Sequence, residues 1–327
     1  DLFVGGRVVP GAYPRLPYSQ VLQNDGKGRF SNATNSVAPE LSQIGMVTDI
    51  LFADLNRDGT DEMVVTGEWM PIEVFQLQGG KYARATAAFG LDQSQGWWNT
   101  LAAADLDADG DLDLVAGNMG LNTRYRATPA APLRLWAKDF DNNGSIDPLM
   151  GWYENGKCYP VPFRDQLIKQ VPPLKKKFVR YSAYATATVE DVFPKNELES
   201  AQQFRANELR SCWFENQGGK MLPHPLPNEA QMAPLRSIVV LDADKNGSPD
   251  LLLAGNDYGI EIETGRADAG NGTLLLNDGK GGFRYLPNPA SGFWAKRDAR
   301  HLGLLRMAGG KTGILVANNG SAAQLYQ

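Results

Sequence analysis

Acidic side chains recur along this chain at a spacing that could hold a hard divalent cation. The first group is Asp54, Asn56, Asp58, Thr60 and Glu62, and the second is Asp105, Asp107, Asp109, Asp111 and Asp113. The third is Asp139, Asp141, Asn143, Ser145 and Asp147, and the fourth is Asp242, Asp244, Asn246, Ser248 and Asp250. Each group has oxygen side chains at loop positions 1, 3 and 5, glycine at position 6 and an acid at position 9. Calcium takes six to eight oxygen ligands at about 2.3–2.6 Å. Alternate residues of a tight loop can turn their oxygens to one centre, and glycine allows the chain to reverse there. Position 7 can add its backbone carbonyl, and the acid at position 9 closes the shell. An EF-hand would need glutamate at position 12, where this chain has Val65, Ala116, Met150 and Leu253, so the loops are of another kind. A single copy reads equally well as a solvated turn; four copies favour calcium, about one ion per loop. The second loop holds five acids and is expected to bind most tightly.

The flanks say what positions these loops. Short apolar runs precede them (Ile50–Ala53, Leu101–Ala104, Ser237–Leu241) and follow them (Met63–Val65, Leu114–Ala116, Leu251–Ala254). Their length and branched residues predict buried strands, so each loop joins the two arms of a hairpin. Asp1–Gly6 matches the tail of the repeat, and Thr312–Asn319 matches its outgoing strand without ligands before it. Strand–turn–strand signatures recur at Val21–Phe30, Trp213–Met221 and Leu274–Phe283. The loop intervals imply a unit of about 50 residues with four short strands, the size of a propeller blade. The expected fold is all-β: one seven-bladed propeller over residues 1–327, counting a degenerate blade between 151 and 235.

Residues 151–211 break the rhythm and predict a partly helical insertion. Arg164–Val171 and Glu197–Leu209 read as short amphipathic helices. Lys175–Lys177 is a small basic run, read as a solvated face or a docking surface. Cys158 and Cys212 flank the insertion, and their spacing alone gives no geometric evidence for or against a bridge.

Composition narrows the function. The 327 residues are 43% hydrophobic and 21% charged, which predicts a folded chain. There are 32 basic and 37 acidic residues, a net charge of −5, which argues against a nucleic-acid partner. Four bound Ca²⁺ ions would carry that charge to +3, so the acidity reflects metal ligation rather than a polycationic partner. No apolar run reaches the roughly 20 residues of a membrane span.

With these residues in view, the sequence resembles the FG-GAP/VCBS repeat family. It is similar in particular to the propellers of bacterial surface proteins with ASPIC/UnbV-type domains and of cartilage acidic protein, and more distantly to the integrin α propeller. The resemblance rests on the four loops together with Gly67–Pro71, Gly96–Asn99, Gly117–Asn122 and Gly255–Tyr258. It implies a calcium-stabilised propeller outside the cytoplasm, at the cell surface or associated with a Gram-negative outer membrane. Such a module binds or scaffolds a protein or glycan, or serves as a subunit of a membrane complex. The chain is expected to be a fragment of a larger one. Recognition would fall to loops opposite the acid hairpins: Trp69, Asn122, Arg124, Arg126, Glu261, Glu263 and Arg266, with Trp97 and Trp98 also able to stack on sugars or to fill the core. The alternative is a propeller-based polysaccharide lyase or hydrolase using Glu261 and Glu263 as acid and base. Two histidines and no nucleophile, zincin or phosphate-loop motif favour a non-enzymatic reading.

Overall fold

Alternation along the central strands explains the architecture. In the computed structural model, which describes residues 1–260 and 264–327, the chain forms six antiparallel sheets. Sheet I holds Leu2–Val4, Gln20–Asn24 and Phe30–Asn32. Sheet II holds Met46–Ala53, Glu62–Met70, Glu73–Gln78 and Lys81–Arg84, with the short strand Gly96–Trp97 added on Glu62–Met70. Sheet III holds Thr100–Ala104 and Asp113–Gly117, and then Cys212–Asn216 and Met221–Pro225 from much later in the chain. Sheet IV holds Leu133–Lys138, Asp147–Glu154, Lys157–Pro160 and Gln202–Ala206. Sheet V holds Ser237–Leu241, Asp250–Ala254, Thr273–Asn277 and Phe283–Leu286, and sheet VI holds Ala299–Arg306, Thr312–Asn318 and Gln324–Tyr326.

Successive side chains of a strand face opposite ways. Met63 and Val65 therefore pack on Val21 of sheet I, while Val64 packs on Leu114 and Phe214 of sheet III. Val115 of sheet III turns the other way, to Leu251 and Leu253 of sheet V. Leu252 and Leu274 of sheet V in turn meet Leu302 and Val316 of sheet VI. One apolar layer thus joins each consecutive pair in the series I, II, III, V, VI. Second strands buried on both faces are why their sequences read as continuous apolar runs rather than alternating ones. On the outer faces of the end sheets, Leu2 and Val4 of sheet I and Leu305 and Leu325 of sheet VI stay exposed.

Six sheets stand where seven blades were expected. Residues 151–235 build no sheet of their own: Gln202–Ala206 is an edge strand of sheet IV, and residues 212–225 complete sheet III. The excursion also starts earlier than residue 151, because all of sheet IV lies between the second and third strands of sheet III. Helix Arg164–Gln170 forms as expected, but the second helix is only Lys195–Ser200. Beyond it, Phe204 and Ala206 lie opposite Leu135 and Leu133, a period-two burial that a helix would have broken. Leu167, Val189 and Leu198 of the helical segment cover Trp136 and Leu149 of sheet IV. Cys158 and Cys212 sit in different sheets, and both are free thiols. Burial raises their pKa values to about 11 and about 12. Among the described residues, no helix is long and apolar enough to cross a membrane.

Candidate metal loops and the cavity at the opposite strand ends

All four acid loops join first and second strands in one register. Ala53 pairs with Glu62, Ala104 with Asp113, Lys138 with Asp147 and Leu241 with Asp250, so the residue before position 1 always faces position 9. Position 6 is a glycine with φ between 84° and 93° in every copy. Position 4 is left-handed too, although it is never glycine: Arg57, Ala108, Asn142 and Lys245 have φ between 60° and 63°. Side-chain oxygens hold this shape. The position 1 carboxylate accepts from the glycine N–H at 3.0 Å in Asp54 and Asp105, 2.7 Å in Asp139 and 3.1 Å in Asp242. Position 5 accepts from the N–H of Thr60, Asp111, Ser145 or Ser248 at position 7, which leaves those residues' carbonyls as the groups they could offer a cation.

The acid at position 9 does something the spacing did not reveal. Glu62, Asp113, Asp147 and Asp250 are all buried, and each accepts from the backbone N–H at position 2 at 2.8–2.9 Å. The second oxygen of Asp113 accepts from Asn216 N–H at 2.8 Å, and that of Asp250 from Asn277 N–H at 2.8 Å. These asparagines end the third strands. Their amides also cross to the preceding sheet, Asn216 donating to the Leu55 carbonyl at 2.7 Å and Asn277 to the Leu106 carbonyl at 2.8 Å. Both acceptors are position 2 of a neighbouring acid loop. The recurring Asn before a Gly-containing turn (Asn216, Asn277) was the available sequence signal for this clamp.

Three loops bring carboxylates within ligand distance of one another. Oxygens of Asp105, Asp107 and Asp109, of Asp139, Asp141 and Asp147, and of Asp242, Asp244 and Asp250 lie within 4.8 Å. Among the described residues the first loop forms no such triad. There the Asn56 amide donates to Asp58 at 3.0 Å and to Glu62 at 2.7 Å, satisfying those carboxylates internally. Elsewhere oxygens are left over: Asp105 Oδ1, Asp111 Oδ1 and Asp141 Oδ1 are buried without a hydrogen-bond partner. Buried acceptors normally have partners, so these oxygens fit a cation. Burial, then repulsion from Asp109 and Asp107, pushes Asp111 up to about 6, with Arg57 of the first loop opposing. Burial likewise pushes Asp113 up to about 6 against the pull of its two N–H donors. Burial also raises Glu62, Asp107 and Asp147. The donor set is wholly oxygen, which suits calcium, magnesium or manganese rather than a soft metal.

At the other ends of the same strands lies a cavity of about 480 Å³. Glu68 and Trp69 end the second strand of sheet II, Asn99 precedes the first strand of sheet III, and Arg236 and Asp257 flank the first hairpin of sheet V. The insertion supplies the facing wall through Met150, Val161, Pro162, Gln166 and Gln170. Of the expected recognition residues, Trp69 and Trp97 line this cavity. Asn122, Arg124, Arg126 and Arg266 come together in an adjoining cleft of about 320 Å³. Glu261 and Glu263 lie outside the described residues. Trp98 is fully buried, donating its indole N–H to the Ser94 carbonyl, so it is core. Tyr13, Arg236 and Asp257 also belong to the cavity and were missed, because they are distant in sequence and carry no motif.

Residues 54–116, which span the first two acid loops, match the family model for the FG-GAP-like repeat. No curated protein matches the chain. Among solved structures, the rhamnogalacturonan lyase PL11 of Bacillus licheniformis is similar at 15% identity with a TM-score of 0.25. The match covers 83% of this chain but 40% of that one, so the chain spans well under half of the lyase's length.

Proposed function

Since residues 54–116 match an FG-GAP-like repeat, we propose that the chain is a calcium-braced β-propeller that acts as a binding or scaffold module outside the cytoplasm. In this reading sheets I, II, III, V and VI are successive blades, and sheet IV with its helices is an insertion riding on one face. The observation that carries the calcium is the set of buried, unpartnered oxygens on Asp105, Asp111 and Asp141. Asp105, Asp107 and Asp109 would hold one ion, Asp139, Asp141 and Asp147 a second, and Asp242, Asp244 and Asp250 a third. The first loop is a weaker fourth site. The cation supplies positive charge to carboxylates whose burial otherwise favours their neutral form.

A surface setting is compatible with the same chemistry, since weak calcium sites fill where calcium is abundant. Recognition is assigned to the strand ends opposite the loops, where the cavity and the adjoining cleft lie. The partner is a protein or glycan at that face, and an accessory role in an outer-membrane complex fits the same surface. No catalytic step is assigned.

The experiment is thermal unfolding after EDTA treatment, repeated with added calcium or magnesium. A rise in melting temperature with calcium that magnesium does not match supports the reading; an unchanged curve overturns it.

A further inference from the structure

The cavity between the strand ends and the insertion has a lining that selects a chemical class. One wall is aromatic. Trp69 and Trp97 meet edge to face at 5.0 Å between ring centroids, and Trp97 meets Tyr125 the same way at 5.6 Å. Tyr13 extends the row, its hydroxyl accepting the Trp69 indole N–H at 2.7 Å. Trp69 holds φ at 61°, a left-handed conformation that costs a bulky residue on the order of 1–3 kcal/mol and persists only where the surroundings impose it.

The floor is polar, planar and ion-paired. Glu68, Arg236 and Asp257 are its charged groups; Arg236 bonds Asn99 Oδ1 at 2.5 Å and pairs with Asp257, while Arg7 and Arg300, from outside the lining, pair with Glu68 at 2.5 Å and with Asp257 at 3.3 Å. Both lining carboxylates are thus paired with guanidiniums, which leaves neither free to attract a strongly ionic ligand. Two donors are nonetheless left over: Trp97 Nε1 and Arg236 Nε are buried without acceptors. Buried donors without partners are costly, and both belong to residues that line the cavity.

A ligand that fits must present apolar faces to aromatic rings and offer neutral acceptors and donors to carboxylate, amide and guanidinium groups. Sugar rings do both: their C–H faces lie on aromatics, and adjacent hydroxyls bridge the planar polar groups. At about 480 Å³ the cavity falls within the roughly 300–1,000 Å³ range of small-ligand sites. We infer that this cavity binds a neutral oligosaccharide or the end of a neutral polysaccharide, gripped between the Trp69–Trp97–Tyr125 wall and the Arg236 floor and roofed by the insertion. The inference rests on the assignment of recognition to this face and gives it a ligand class.

The test is calorimetric titration of the calcium-loaded protein with cellohexaose, mannohexaose, xylohexaose and maltohexaose, and with polygalacturonate as the acidic counterpart. Saturable binding of at least one neutral hexasaccharide is expected, with a change in tryptophan fluorescence. Trp97→Phe keeps the apolar ring and removes the indole N–H, and it should weaken that binding about three- to tenfold. Its melting temperature in calcium reports that it is folded. Gln170→Ala, on the roof, should weaken binding by a smaller factor. No saturation by any neutral hexasaccharide at about 5 mM, tighter binding of polygalacturonate, or equal affinity in Trp97→Phe would each overturn the inference. Loss of the sugar signal with an intact calcium effect on melting rejects the glycan site alone. A sugar signal without any calcium effect rejects the calcium brace and leaves the glycan site standing.

Discussion

The first and second acid loops are built on the same register and the same backbone turns, yet they solve their electrostatics differently. At position 3 the first loop has Asn56, whose amide gives N–H groups to Asp58 and Glu62. Gln76 from the next strand adds a third donor, at 3.2 Å from Glu62. The second loop has Asp107 at that place, with nothing to donate, and Asp111 in place of Thr60. Its leftover oxygens are buried and its carboxylates are pushed toward neutrality. The exchange of an amide and a hydroxyl for two carboxylates, at positions 3 and 7, therefore separates a loop whose acceptors are satisfied from within from one that leaves buried oxygens for a cation. A single family model matches both loops, so a match to that repeat does not by itself set the demand for metal.

The largest effect expected is the loss of calcium altogether. At 100-fold excess over Kd each occupied site adds about 2.7 kcal/mol, so EDTA should lower the melting temperature by about 10 °C or more if two or three sites fill. Differential scanning calorimetry measures this. Next in size is Asp113→Ala, which strips partners from the Leu106 and Asn216 N–H groups. It should cost about 2–4 kcal/mol even in EDTA, because the brace acts without metal; denaturant unfolding in EDTA checks it. A loss seen only in the presence of calcium would instead make Asp113 purely a ligand. Third, Asp105→Asn should remove one full increment of calcium stabilisation, about 2–3 kcal/mol, and Asp54→Asn distinctly less. Equal losses by calcium titration would break the distinction between the two loops. Fourth, Asn56→Asp should destabilise the calcium-free protein by about 1 kcal/mol and increase its response to calcium.

A further effect is pH dependence. Asp111 and Asp113 titrate near 6 when folded, above the ordinary value of 3.8. The folded state then holds more protons than the unfolded one between those values, so without metal stability falls as pH rises from about 4 to about 6 and levels off above. Calcium competes with those protons, so its stabilising increment should shrink as pH drops from 7 to 5. Melting curves across that range, with and without EDTA, distinguish the two slopes.

Much of this was legible in the sequence because it is local. Loop positions 1, 3, 5, 6 and 9 and the apolar runs beside them fix hairpins whose two ends are only nine residues apart. The left-handed position 4 was not legible, since Arg57, Ala108, Asn142 and Lys245 share no side-chain property. Nor was the assignment of residues 212–225 to sheet III, because pairing across a 94-residue excursion between Gly117 and Cys212 leaves no periodic trace. The strand at Gln202–Ala206 was masked by good helix formers, and its pairing with Leu133–Ala137 overrode their propensity. The cavity draws Tyr13, Trp97, Arg236 and Asp257 from four separate segments, and only the folded chain brings them to one place.

The asparagine bridges carry a mechanical consequence. Asn216 and Asn277 each reach from the end of a third strand to the carbonyl at the entry of the acid loop in the preceding sheet, so neighbouring loops are stapled together in series. Ion release that relaxes Leu106 withdraws the anchor of Asn277, and the disturbance passes to the Asp250 loop. Titrated as a set, the sites should then fill with a slope steeper than independent binding allows.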